Sequence, residues 1–172
     1  MYRLSHPATK FLLVIILSFN FFSLSCSNNT AESASSSAVM GKRAPAFTLN
    51  DLNGNNVALT DFYGKKSVLL ICTTIWCPHC ITIIPDLKEI YSKYSNKGLE
   101  VMAMYINEPE DKVRKFSQKY GLPYTILLDP DGAVATLYKI RSVPTLMVID
   151  KNGIMQYHGY KVPMDIIKKI TQ

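Results

Sequence analysis

Cys77 and Cys80 stand three residues apart in the segment Trp76-Cys77-Pro78-His79-Cys80. Two thiols at i and i+3 in the first turn of a helix lie on one side, at a separation a disulfide tolerates, so the pair can open and close. A helix start also presents unpaired N–H groups and the positive end of its dipole, which favour a thiolate on the first cysteine. Cys77 is therefore expected to attack and Cys80 to resolve the resulting mixed disulfide. Pro78 and His79 tune the pair. A histidine there can donate to the Cys77 thiolate or sit beside it as a cation, and favouring the thiolate makes the couple more oxidising. The plain alternative for His79 is an exposed helix residue without influence. Trp76 offers partners an apolar surface.

Other uses of the cysteines fit less well. A c-type haem site needs histidine directly after Cys80, where Ile81 stands. Structural zinc needs a second close pair, but the remaining cysteines are Cys26 near the N-terminus and Cys72 within an apolar run. A purely structural disulfide is the bland reading of any such pair, and exposure at a strand-to-helix junction argues for redox work instead. Cys72 reads as a small buried apolar residue. No metal site and no organic cofactor are expected.

The elements that must position the pair follow from the pattern. Residues 67–73 (SVLLICT) form a nearly continuous apolar run, as in a strand buried on both faces. From 77 to 94 apolar residues recur at helical spacing, and Pro85 should kink that helix one turn in. Strands are expected at 99–106, 125–128, 145–149 and 154–158, and helices at 108–120, 133–139 and 164–170. Ahead of them, strands at 47–49 and 57–59 flank Asn53-Gly54, a hairpin signal. The expectation is an α/β domain with a central sheet and helices on both faces.

With 172 residues, 48% apolar and 19% charged, the chain can bury one core. The net charge of +6 is spread among acidic residues and forms no basic run with interleaved aromatics, so nucleic-acid binding is not expected. Arg3 and Lys10 precede an apolar run at 11–24, too short for a comfortable membrane span. This reads as an export signal, residues 1–25. Ser23-Leu24-Ser25-Cys26 resembles a lipoprotein cleavage box, although Leu24 lies one place later than that box has it. Lipidation of Cys26, an uncleaved anchor and ordinary signal cleavage all remain open. Residues 26–40, rich in serine, alanine and asparagine, read as a flexible tether, and 41–172 as the domain. Each alternative puts the cysteines in an extracytoplasmic, periplasm-like compartment where disulfides persist.

From Gly41 onward the chain resembles the TlpA/ResA-like branch of the thioredoxin superfamily. The matching segments are G-K-R-A-P-A-F at 41–47, L-T-D-F-Y-G-K at 59–65, W-C-P-H-C at 76–80, Y-G-L-P-Y-T-I-L-L-D-P-D-G at 120–132 and S-V-P-T-L-M-V-I-D-K-N-G at 142–153; Pro85 also matches the kinking proline of thioredoxins. The resemblance implies a thioredoxin fold with an N-terminal β-hairpin and a central helix-strand insertion. It implies a cis bond between Val143 and Pro144 in a loop lying against the dithiol, where the Val143 backbone can bind a partner's extended chain. It further implies exchange with protein cysteines and a membrane redox partner, working as a reductase of the cytochrome c maturation type.

Three departures bear on direction. The acids such proteins carry six residues before or after the first cysteine are Ile71 and Ile83 here, leaving water, Glu89 or Lys65 to take the Cys80 proton. The aromatic common four residues before it is Thr73. Pro78-His79 is also the dipeptide of DsbA-type oxidases. Two rival activities are carried forward. A peroxiredoxin-like peroxidase fits Thr74, three residues before Cys77, but has Leu70 in its proline position. A Cu(I)-binding module would pair the cysteines with His158.

Overall fold

The computed structural model of the chain describes residues 38–172. The export segment, Cys26 and most of the expected tether lie outside the described residues.

Seven strands are described: β1 (Thr48–Asp51), β2 (Asn56–Ala58), β3 (Ser67–Thr73), β4 (Leu99–Ile106), β5 (Thr125–Asp129), β6 (Thr145–Ile149) and β7 (Met155–Gly159). They form one sheet in the order β2-β1-β5-β4-β3-β6-β7. β3, β4 and β5 run parallel, while β6 lies antiparallel to β3. The helices are α1 (Pro78–Thr82), α2 (Ile84–Tyr94), α3 (Glu110–Tyr120), α4 (Ala133–Leu137) and α5 (Met164–Ile170).

The strand period of two divides β3 between two cores. Leu69 and Ile71 face one layer, with Leu87 and Ile90 of α2, Val113 of α3 and Ile167 of α5. Val68, Leu70 and Cys72 face the other, with Phe47, Leu59, Ala135 and Tyr138. Burial on both faces explains the unbroken apolar run. The crossovers β3-to-β4 and β4-to-β5 step in one direction across the sheet, so right-handed connections put α2 and α3 on the same face.

The helix expected over 77–94 is two helices. The break falls at Ile83 (φ −88°, ψ −5°), since Pro85 has no N–H for the carbonyl of Ile81. Leu59 ends no strand; it opens a 3-10 turn, Leu59–Phe62, with its side chain in the core. Helix α3 starts at Glu110 rather than 108, because Pro109 is extended and Glu108 points into the protein.

Gly41 and Lys42 are stitched to β7: the Gly41 N–H donates to the Met155 carbonyl, and the Met155 N–H to the Lys42 carbonyl. Through the register Met155–Ile149–Val68, this entry point lies beside the start of β3.

Candidate active site

β3 ends at Thr73, and Cys77 caps α1 with an extended backbone (φ −82°, ψ 111°). Its Sγ accepts from the Cys80 N–H at 3.2 Å, one of the N–H groups a helix start leaves free. Pro78 opens α1, where a missing N–H costs no bond. A disulfide joins Cys77 to Cys80, with Cα atoms 5.3 Å apart. Both residues are buried, whereas Trp76 is 70% exposed.

The pairing of Cys72 with Thr145 brings the segment ahead of β6 alongside the cysteines. Thr145 Oγ1 donates to the Ser142 carbonyl at 2.6 Å, and the Val143–Pro144 peptide is cis. The Val143 carbonyl oxygen lies 3.7 Å from Cys77 Sγ, where a Cys77 thiol can donate to it. His79 is exposed; its carbonyl accepts the Thr82 hydroxyl, and among the described residues its ring makes no hydrogen bond to either sulfur.

Neither proton acceptor expected for Cys80 reaches it. Lys65 precedes β3, at the opposite end from the cysteines, and Glu89 is exposed on α2. Ile71 and Ile83 belong to the apolar layer. Behind Cys80 is instead a cavity of about 10 Å³, close to the smallest that holds a water, lined among others by Thr73, Tyr105 and Tyr124. Burial pushes both phenols well above their ordinary pKa, Tyr105 further through Tyr124 and Glu108. Cys72 is fully buried, and that burial, with Asp129 nearby, drives its thiol far above the usual range.

Two residues given no role in the sequence reading support the site. Glu108 is 8% exposed, and its Oε1 accepts the Ile75 N–H at 3.1 Å, tying the end of β4 to the turn before Trp76. A glutamate directly before proline, just after a strand, was the available signal, but it also fits a helix start. Asp129 is completely buried. Its two oxygens accept from Val134 N–H (3.2 Å) and Ala135 N–H (2.8 Å), capping the first turn of α4. At Gly132 (φ +69°) a Cβ would come within 3.0 Å of Asn107 Oδ1, so glycine lets this turn close over Asn107.

A groove of about 520 Å³ opens beside Cys77, walled by Trp76, Pro78, Ile106, Asn107, Ile140 and Val143. Thr74 and Arg141 also line it; the Thr74 hydroxyl is buried with no hydrogen-bond partner, and Arg141 is exposed. His158 lies on β7, two strands from β3. Among the described residues no three His, Cys, Asp or Glu side chains are grouped to hold a metal ion.

A cysteine pair at the head of the helix following a central parallel strand, facing a cis-proline loop, defines a thioredoxin-fold protein with a redox-competent site. Residues 40–158 match the AhpC/TSA family, and the chain belongs to it. It is similar to the thiol-disulfide oxidoreductase ResA of Geobacillus thermodenitrificans, 38% identical over 114 residues, covering 66% of this chain and 65% of that protein. The chain thus spans just under two thirds of that relative's length. The ResA of Bacillus thuringiensis subsp. konkukian is 34% identical over 137 residues, covering 77% of this chain and 79% of the relative. Among solved structures, the thioredoxin domain of a thiol-disulfide oxidoreductase from Bacteroides vulgatus superposes with TM-score 0.72 at 25% identity, covering 79% of this chain and all of that one. A thiol:disulfide interchange protein from Bacteroides sp. has TM-score 0.68 at 25% identity, covering 78% and 90%. The TlpA/ResA-like resemblance therefore holds across the domain.

Proposed function

We propose that the protein exchanges dithiol and disulfide with cysteines of other proteins through Cys77 and Cys80. The observation that carries this reading is the bonded pair at the head of α1, with Cys77 Sγ against the Val143 carbonyl at the edge of an open groove. In the reducing direction the Cys77 thiolate attacks one sulfur of a partner disulfide and the other sulfur leaves as a thiolate. Cys80 then attacks Cys77, releasing the partner as a dithiol and closing the Cys77–Cys80 disulfide. Trp76 and the Val143 backbone hold the partner's extended chain; Pro78 and His79 set the thiolate balance of Cys77. The couple needs no metal or organic cofactor.

The TlpA/ResA-like resemblance favours reduction as the physiological direction, the Pro78-His79 dipeptide keeps oxidation as its alternative, and the export-type N-terminus favours an extracytoplasmic site with Cys26 as a lipid attachment point. A membrane redox partner then resets the pair. None of the described helices is long and apolar enough to cross a membrane. Two measurements test the reading. Reduced Cys80→Ser should attack a peptide disulfide through Cys77, release one peptide half as a thiol and accumulate a mixed disulfide with the other, and Cys77→Ser should not; no adduct with Cys80→Ser refutes exchange. A couple near about −270 mV supports reduction, and one near about −120 mV assigns oxidation instead. Thr74 beside Cys77 keeps the peroxidase reading testable: rapid hydroperoxide turnover by the reduced protein would favour it.

A further inference from the structure

The groove beside Cys77 carries an uneven set of polar groups. Arg141 is the one charged side chain lining it; it is exposed, and among the described residues no carboxylate lies within ion-pair distance of it. Lys139, exposed two residues earlier on the same loop, adds a second cation to this segment. The carboxylates of this part of the fold lie elsewhere. Asp51, Glu108, Glu110 and Asp131 line a separate trough of about 550 Å³ between the hairpin and α4. The Thr74 hydroxyl supplies an independent observation: Thr74 is 6% exposed, lines the groove three residues before Cys77, and has no hydrogen-bond partner. A buried hydroxyl without a partner is costly, and a ligand's backbone can satisfy it.

The spacing adds a register. Arg141 precedes Val143 by two residues through a bend, so their Cα atoms lie at most about 7 Å apart, within reach of the about 6.6 Å over which an extended partner chain returns its side chains to the same face. A segment whose cysteine sits at Cys77 and Val143 therefore brings the side chain two positions away to Arg141.

Resting on the exchange reading above, we propose that the groove selects partner segments carrying an aspartate or glutamate two residues from the reacting cysteine. Arg141 recognises the carboxylate, and Thr74 hydrogen-bonds the bound backbone. In the reaction that tests this, the Cys77 thiolate of the reduced protein attacks the peptide sulfur of a peptide–thionitrobenzoate disulfide. Coloured thionitrobenzoate leaves, and a Cys77–peptide disulfide forms. The Cys80 thiolate then attacks Cys77, releasing the peptide thiol; the protein dithiol is oxidised and the peptide disulfide reduced.

The experiment uses otherwise identical peptides, acetylated and amidated so that no terminal carboxylate contributes, with Asp, Gln or Lys two residues from the cysteine on either side. Release of thionitrobenzoate is followed at low and high salt, and rates are compared as ratios within each protein, so that a general loss of folding cancels. On one side of the cysteine the Asp peptide should react about three- to fivefold faster than the Lys peptide at low salt, with the gap closing as salt rises. The ratio should fall to about one in Arg141→Gln and invert in Arg141→Glu. Thr74→Val should raise the half-saturating concentration of all three peptides in this single turnover while leaving the ratio in place, and Thr74→Ser should restore the wild-type value. Equal rates for the three peptides with the wild-type protein, or a ratio that survives Arg141→Glu, overturns the proposal while leaving exchange intact. An unchanged half-saturating concentration in Thr74→Val overturns the part given to Thr74. Absence of release from every peptide instead strikes the exchange reading itself.

Discussion

Removing the buried carboxylate of Asp129 should loosen the loop that faces the dithiol, although it lies outside the groove's lining. Its two oxygens hold the N–H groups of Val134 and Ala135 at 3.2 and 2.8 Å, and Ala135 is part of the groove wall. Hydrogen bonds to a charged group contribute about 1.5–3 kcal/mol each, and removing the carboxylate also recovers part of its desolvation cost. Asp129→Ala should therefore lose about 3 kcal/mol net. Unfolding entropy is about 2.1 cal/mol/K per residue, or about 0.28 kcal/mol/K over the described domain, so Tm should fall by about 10 °C. Asp129→Asn keeps one acceptor but turns its amide donor toward an N–H, and should lose about 7 °C. Thermal melts by circular dichroism read both values. Well below either Tm, exchange should also slow, because α4 leads through Tyr138 and Ile140 into Arg141 and Val143. A drop below about 2 °C in Asp129→Ala would refute the capping argument.

Three further outcomes follow from the same geometry. Glu108→Ala leaves the Ile75 N–H without its partner and should cost about 1–3 kcal/mol in urea unfolding, with Glu108→Gln milder. Cys72 should resist iodoacetamide at pH 8 in the native dithiol protein and label only in denaturant, since burial and Asp129 keep its thiol protonated. Asp51 is desolvated slightly, but hydrogen bonds from Asn55 and Asn53 outweigh this and hold its carboxyl below the ordinary range. Its contribution should be complete above its unfolded pKa, about 3.9, and be lost as pH falls through the lower folded value. Urea melts from pH 5 to pH 2 should show a slope that Asp51→Ala reduces.

What could be read in the chain was whatever rests on burial along one element. The boundaries of β3, β4, β6 and α5 coincide with the expected ones because each is defined by a local apolar pattern. The cysteine pair was equally local. Glu108 was not, because its partner Ile75 is 33 residues away and the pairing exists only once β4 lies beside β3. The same holds for the groove, whose walls come from the turn after β3, the end of β4 and the segment between α4 and β6. Pro85 marked the disturbance and its place, since the kink expected one turn into the helix falls at Ile83, after the Ile81 carbonyl loses its bond.

The pairing of Gly41 and Lys42 with Met155 fixes where the polypeptide joins the domain. Met155 leads across the sheet to Val68, near the start of β3, while the dithiol follows Thr73 at its far end, about 17 Å further on at strand rise. The entry at Gly41 and the dithiol thus sit near opposite ends of the most buried strand. A fusion, bead or surface coupled ahead of Gly41 meets the end away from the dithiol and leaves the approach to Cys77 open. The same coupling through a residue such as Trp76 or Arg141 would obstruct the groove beside Cys77.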